Sequence, residues 1–353
     1  AAAIVPGTAV DPAPSDLPAE IALLEQRFWL EPGVTHQFTR QRIRFNKPEG
    51  LAAGNLALQW RAERDTLTIH EVTIHRGAQR IDVLASGQKF AILRREANLE
   101  SAMLDGVLTA SLQPEGLQVG DVLEIAATIV RREPVMGNFA ELALAPPDGA
   151  VGRFLLSAHW PSGLAMRHKV GGGLPALAIR EEKGRTGFQL TLDRPTAREA
   201  TPGAPLRTLL ARRIELSSIP DWSAIGTLFA PLYAKAAVIP LAGPLRAELD
   251  KIRAASTNPV RRAELALALV QDRLRYVAIA LGDGGLVPDS AEAAWDRRFG
   301  DCKAKTALLL ALLGELGIKA VPVAVHVQAG DGMDQRLPMV SQFNHILVRA
   351  EIG

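Results

Sequence analysis

A leucine-rich segment at residues 299–317, FGDCKAKTALLLALLGELG, contains the single cysteine of the chain. Its leucines recur at the spacing of one helix face, at Leu308, Leu309, Leu312, Leu313 and Leu316. Cys302 falls in the first turn of this helix, where the dipole and free backbone N–H groups favour thiolate. Lys303 and Lys305 add positive charge, and Gly300 permits a sharp turn. The segment therefore predicts a nucleophilic thiol of lowered pKa.

A thiol nucleophile needs a base, normally histidine, in the same part of the fold. His345 is preferred because it begins a strand predicted over residues 346–352, where a side chain can reach a cleft. His326 is the second candidate and falls late in a strand predicted over 318–327. The alternative is that Cys302 is a small buried hydrophobe and that the histidine is only half-buried. The charged residues that flank Cys302 favour the first interpretation.

Length and composition favour a globular protein of two domains. The chain has 353 residues, with 40 Lys+Arg against 38 Asp+Glu, so its net charge is +2. This balance argues against a dedicated nucleic-acid binder. A single cysteine excludes an internal disulfide and a cysteine-rich metal site. No apolar run is long enough for a membrane helix.

The small-residue start and the prolines that follow are typical of a mature exported N-terminus, so we expect a periplasmic or otherwise exported protein.

The sequence changes character near residue 218. Before it, short alternating runs separated by turns predict strands at 40–45, 66–74, 122–130, 187–192 and 213–216. After it, Asp221 and Asn258-Pro259 begin predicted helices, the second with Ala263, Leu267, Val270 and Leu274 on one face. We predict an extended arm over 1–19, an all-β antiparallel sandwich over 20–217, and an α+β domain over 218–353.

The C-terminal residues resemble the transglutaminase-like superfamily, a group of papain-type cysteine enzymes. The resemblance rests on Gly300-Asp301-Cys302-Lys303, the leucine helix, residues 317–323, Phe343-Asn344-His345 and the upstream residues 275–279 and 282–288. It implies a papain/transglutaminase-like core, incomplete at its C-terminal end, after a β-rich domain of unknown function. Bacterial members often have this arrangement.

The resemblance also implies roles for single residues. Cys302 is the nucleophile, His345 is the base, and the backbone N–H of Cys302 holds the oxyanion. Tyr276 and Asn344 are candidate cleft residues. The family's Asp lies on the strand after the histidine, but residues 346–353 contain no Asp, so we expect it beyond Gly353 or expect an incomplete site.

Two further departures from bacterial members bear on the site. Ala304 stands where those members usually have an acidic residue, and Leu286 stands where they usually have a larger, often aromatic one. The sequence implies no cofactor and no metal. His70 and His75, five residues apart on a predicted strand, should face opposite sides and form no metal pair. Gly282-Asp283-Gly284-Gly285 is interpreted as a turn that lines the cleft.

The favoured function is thiol acyl transfer or amide hydrolysis on a protein or peptide substrate, with no nucleic-acid partner. The alternative is a non-catalytic envelope scaffold or peptide-binding protein that retains the fold. The substrate, the choice between transfer and hydrolysis, and the oligomeric state are not given by the sequence.

Overall fold

A computed structural model describes residues 15–94, 103–104, 106–147, 149, 151–196, 203–205, 207, 212–279, 285–327 and 330–352. The chain forms two compact units, and the first ends at Ser218. The second begins at Ile219 and also includes Val135–Gly137 and a short strand near residue 103. Most of the predicted arm, residues 1–14, lies outside the described residues. Its last residue, Ala19, belongs instead to the first strand.

The first half of the chain is built from strands. They are β1 (Ala19–Glu31), β2 (Val34–Phe45), β3 (Leu56–Arg61), β4 (Asp65–Arg76), β5 (Gln79–Asp82), β6 (Ala91–Arg94), β7 (Met103–Leu104), β8 (Val107–Leu112), β9 (Val122–Arg132), β10 (Glu141–Leu144), β11 (Val151–Pro161), β12 (Arg167–Val170), β13 (Arg180–Glu182), β14 (Arg185–Asp193) and β15 (Ile214–Ser217). Strand β7 belongs to the second unit. Two 3₁₀ helices, Pro48–Gly54 and Pro134–Met136, interrupt the series.

One eight-stranded sheet dominates the first unit, in the order β13-β14-β11-β1-β2-β9-β4-β5. Two three-stranded sheets, β10-β15-β12 and β3-β8-β6, accompany it. The β-rich class is therefore confirmed. Strict antiparallel pairing is wrong, because β1 and β11 run parallel with Ile21 opposite Val151. A parallel pair needs a long connection, and here nine other strands lie between the two in the chain.

The apolar side chains of the large sheet pack in two clusters with those of the small sheets. One cluster joins the large sheet to β10 and β15 through Phe28, Phe154, Leu156, Trp160, Ile214 and Leu216. The other joins it to β3 and β8 through Ile43, Phe45, Ile74, Leu123, Leu56 and Leu112. Alternation along each strand sends these residues to one face and polar residues to the other.

The second unit contains helices and short strands. They are α1 (Trp222–Ala236), α2 (Pro244–Ala255), α3 (Pro259–Arg273), β16 (Arg275–Tyr276), β17 (Ala278–Ile279), α4 (Ala291–Arg297), β18 (Phe299–Gly300), α5 (Cys302–Glu315), β19 (Lys319–Val325) and β20 (His345–Glu351), with 3₁₀ turns at Met333–Gln335 and Val340–Gln342. Pairs form between β16 and β18, β17 and β7, and β19 and β20. The predicted starts of α1 and α3 are confirmed, since Asp221 and Asn258 cap them through their side chains.

Helix α5 lies at the centre of this unit's core. Its fully buried Leu308 and Leu312 pack with Trp295 of α4 and Val270 of α3. The predicted apolar face of α3 needs one correction, because Leu267 is 42% exposed. The buried face of α3 is centred on Ala266 and Val270, and Leu267 therefore lies at its edge. No helix in the described part of the chain has both the length and the apolar character that a membrane crossing requires.

Truncation of Leu308 to alanine should destabilise the second unit by about 2–5 kcal/mol, since it opens a cavity in a closed core. The measurement is urea unfolding followed by far-UV circular dichroism, to which α1–α5 contribute the helical signal. Leu267→Ala is the matched control and should cost no more than about 0.5 kcal/mol because that side chain is exposed. Equal losses in the two variants would contradict this assignment of the core.

Candidate active site

The start of α5 places Cys302 as the first helical residue. The preceding Asp301 is the N-cap, and its Oδ1 accepts a hydrogen bond from the Ala304 N–H at 3.0 Å. Its other oxygen, Oδ2, forms an ion pair with Lys303 Nζ. The sequence showed Asp301 only as a charged neighbour of the cysteine. The preference of Asp for the residue before a helix would have identified it as the cap.

Two short parallel strands determine which residue lies beside the start of α5. Strand β16 pairs with β18 so that Tyr276 lies opposite Gly300. The Val277 N–H donates to the Gly300 carbonyl at 3.1 Å. Gly300 is required here by close approach, because a Cβ on it would lie 2.7 Å from the Ala304 Cβ. The buried Ala304 thus occupies space that an acidic side chain could not share.

Three chain segments meet at the sulfur of Cys302. The Tyr276 hydroxyl lies close enough to the thiol and to the backbone N–H of Cys302 to affect the pKa values of both side chains. The backbone N–H of Ile346, the second residue of β20, also lies near the thiol and acts to lower its pKa. The ring of His345 lies next to the ring of Tyr276, with centroids 6.4 Å apart. The structure therefore brings Cys302, Tyr276 and the start of β20 together.

Two other candidates lie in structural positions. Asn344 is exposed, and its Oδ1 accepts from the Val327 N–H at 3.0 Å while its own N–H donates to the Val325 carbonyl at 3.1 Å. It therefore holds the backbone after β19 beside the start of β20. His326 follows the last residue of β19, so its predicted place inside a strand is wrong.

Two further predictions for the cleft concern the turn at residues 282–285 and Leu286. The glycine-rich turn predicted over residues 282–285 falls largely outside the described residues. Leu286 lies in a turn and is partly buried. Tyr233 of α1 is a neighbour of the site that the sequence did not reveal. Burial, with the charges of Cys302 and Asp301, raises the pKa of its phenol.

The predicted lowering of the Cys302 pKa is wrong in direction. Burial raises the pKa of the thiol above its ordinary value, and the adjacent Asp301 carboxylate adds to the rise. The Lys303 ammonium, the Ile346 N–H and the Tyr276 hydroxyl act to lower the pKa but do not reverse it. The prediction included the helix N-terminus and the nearby lysines but omitted desolvation and the charge of Asp301.

A second group of titratable residues lies on the polar face of the large sheet in the first unit. Glu71, His75 and Glu124 offer ligand atoms within 4.8 Å of one another. These atoms already have protein partners: Glu124 accepts from His75 at 2.8 Å and pairs with Arg40 at 3.3 Å, and Glu71 accepts from Arg80 at 2.7 Å. With Arg42 beside Glu124 and the Thr73 hydroxyl donating to Glu71, these contacts make the group an ion-pair network.

The two histidines of β4 require a correction. His70 contacts Thr128 Oγ1 and His75 contacts Glu124 Oε2, and these two partners lie on the same face of β9. A β-bulge between Ile69 and Glu71 adds one residue to β4 and inverts the alternation. The histidines therefore share a face, contrary to the prediction.

Comparison with known proteins supports the architecture. A family model described as a domain of unknown function with a solved structure (DUF3857) matches residues 32–198. A crystal structure of a "putative protease" from Parabacteroides distasonis is similar, with a TM-score of 0.74 at 13% identity over 95% of this chain. This chain spans 65% of that protein's length. At this identity the likeness shows a shared fold.

Two other similarities have TM-scores too low to indicate a shared fold. An aminopeptidase A of Legionella pneumophila, solved with aspartic acid, matches 58% of this chain and 22% of its own at 8% identity and a TM-score of 0.29. An M1 zinc metallopeptidase mutant of Deinococcus radiodurans matches 49% of this chain and 39% of its own at 9% identity and a TM-score of 0.28. No curated protein matches the chain.

Alkylation of Cys302 by iodoacetamide should have a higher midpoint pH in the folded chain than in the urea-unfolded chain. The physical reason is desolvation of the thiolate, which raises the folded-state pKa. The folded state therefore loses stability as the pH rises from the ordinary thiol pKa through the raised one. A folded midpoint below the unfolded one would contradict this reading of the site.

Replacement of Gly300 by alanine should destabilise the second unit by about 1–3 kcal/mol, because the new methyl group overlaps Ala304 and displaces the start of α5. The measurement is urea unfolding, with Cys302 alkylation as a local reporter. Gly314→Ala in the same helix is the control. Its Cβ meets open space, and alanine should stabilise the helix by about 0.5–1 kcal/mol.

Proposed function

We propose that this protein is a transglutaminase-like cysteine enzyme that acts on a protein or peptide amide. The observation that carries the proposal is the meeting of three elements at the Cys302 sulfur: the start of α5, the Tyr276 hydroxyl and the first residues of β20. His345 begins β20 and lies next to Tyr276. Covalent acyl chemistry requires a base within reach of the nucleophile, and His345 is the histidine carried by the strand that approaches the thiol.

The mechanism begins with a protonated thiol. His345 accepts the thiol proton as Sγ attacks the amide carbonyl carbon, and the carbonyl oxygen becomes an oxyanion. The C–N bond then breaks, the amine leaves with the proton from His345, and a thioester remains on Cys302. Attack by water gives hydrolysis, and attack by a second amine gives transfer. A raised thiol pKa suits this sequence, because the base acts during attack.

The oxyanion donor is the backbone N–H of Cys302, which lies at the N-terminus of α5. The Tyr276 hydroxyl lies close to this N–H. A substrate oxygen must therefore replace the phenol oxygen at that donor. Tyr276 is 45% exposed, so its ring has room to turn toward solvent.

The same contact supports a second candidate function. A phenol that fills the oxyanion position beside a protonated thiol favours a peptide-binding or scaffold protein of the cell envelope that retains the fold. Such a protein would bind peptides and release them unchanged.

Cys302→Ala and His345→Gln should each lower activity by at least about 10³-fold, because each removes one member of a cooperative unit. The assay follows a glutamine-containing protein incubated with a fluorescent primary amine, with mass spectrometry of the products to separate transfer from hydrolysis. His326→Gln is the matched histidine control and should leave activity within about twofold.

Activity that persists in Cys302→Ala would overturn the enzymatic proposal. Peptide binding without turnover, at equal affinity in the parent chain and in Cys302→Ala, would establish the scaffold instead. Circular dichroism of each variant distinguishes a loss of chemistry from a loss of fold.

A further inference from the structure

A largely buried ion pair flanks Cys302 in the chain. Asp301 and Lys303 are its immediate neighbours in the chain, and their side chains are only 9% and 18% exposed. Asp301 uses both oxygens, one to cap α5 and one to bind Lys303 Nζ. The cap needs only a hydrogen-bond acceptor, which an asparagine supplies equally well. The cap therefore does not explain why a carboxylate and a lysine are placed together here.

The charged and titratable groups around Sγ come from four elements. Helix α5 supplies the Asp301–Lys303 pair, β16 supplies Tyr276, α1 supplies Tyr233, and β20 begins with His345. Within this set the Asp301 carboxylate is the group whose negative charge opposes ionisation of Cys302. The partial burial of Cys302 and the burial of Asp301 strengthen this opposition relative to water. Both the thiolate and the oxyanion that follows it are disfavoured by an uncompensated carboxylate on the neighbouring residue.

We propose that Lys303 is a positioning residue that neutralises the Asp301 carboxylate and thereby sets how readily Cys302 ionises. Lys303 is held in place by Asp301, acts on Cys302 by its charge, and does not touch the substrate. The inference rests on the proposed function, because it assigns Cys302 as the reacting thiol. It adds a role for the residue after the nucleophile, and it explains why a half-buried lysine lies beside the cap.

The experiment measures the pH dependence of iodoacetamide alkylation at Cys302, the single cysteine, by mass spectrometry of the intact chain. The variants are Lys303→Met, Asp301→Asn and the double variant. Lys303→Arg is the charge-conserving variant. Lys319→Met is the matched control, because Lys319 pairs with Glu351 at 2.9 Å in the same unit but is 74% exposed.

Lys303→Met should raise the alkylation midpoint by about one pH unit. Its rate at neutral pH should fall by only about threefold to fourfold, since a thiolate of higher pKa is intrinsically more nucleophilic. Asp301→Asn should lower the midpoint. The double variant should lie only slightly above Asp301→Asn, because without the carboxylate the ammonium is no longer held near Cys302 and its direct effect on the thiol pKa falls. Lys303→Arg and Lys319→Met should leave the midpoint unchanged.

An unchanged or lowered midpoint in Lys303→Met would overturn the inference. So would a shift of the same size when Lys303→Met is added to Asp301→Asn, since the effect of the lysine would then not depend on the carboxylate that holds it. Circular dichroism confirms that each variant is folded. Alkylation needs no substrate, so a chain without turnover that shows the expected midpoints would refute the proposed function and leave the role of Lys303 standing.

Discussion

The hydrogen bond from the Ala304 N–H to Asp301 Oδ1 is the interaction on which the second unit depends. It begins α5 at Cys302, and so determines which residue lies at the positive end of the helix. The same helix carries the buried leucines around which the other helices pack. Core and candidate site therefore share one origin, and a shift of the cap by one residue would displace both.

Two opposing effects act on the pKa of Cys302 at the start of α5. The helix terminus and the hydrogen-bond donors favour thiolate, whereas burial and the cap carboxylate favour thiol. Burial prevails because Sγ lies against Tyr276 and the backbone of β20. A neutral thiol is less open to oxidation and stray alkylation than a thiolate. The site thus holds its nucleophile in a form that a base must activate.

The sequence predicted most elements of the second unit, since strong caps at Asp221 and Asn258 and the leucine pattern of α5 are local signals. The β-rich half was predicted as a class, but the parallel pairing of β1 with β11 depends on contacts between distant residues. The bulge at His70 could not be predicted either, because an extra residue in a strand becomes evident only when the register with the partner strand is known. At the site, Cys302 and the start of β20 were foreseen. Tyr276 was named as a candidate cleft residue, but its approach to the thiol and the presence of Tyr233 were not foreseen, because both depend on how separate elements meet.

The parallel pair in the large sheet has a consequence for synthesis of the chain. One side of β1 pairs with β2, which follows at once, but its other side pairs with β11, which begins only at Val151. During translation β1 and β2 can form a hairpin early, while the second edge of β1 has no partner until more than a hundred further residues have left the ribosome. An open edge of this kind invites pairing with other chains. The nascent protein therefore passes through an interval of exposure to aggregation, and chaperones that cover strand edges would act on it then.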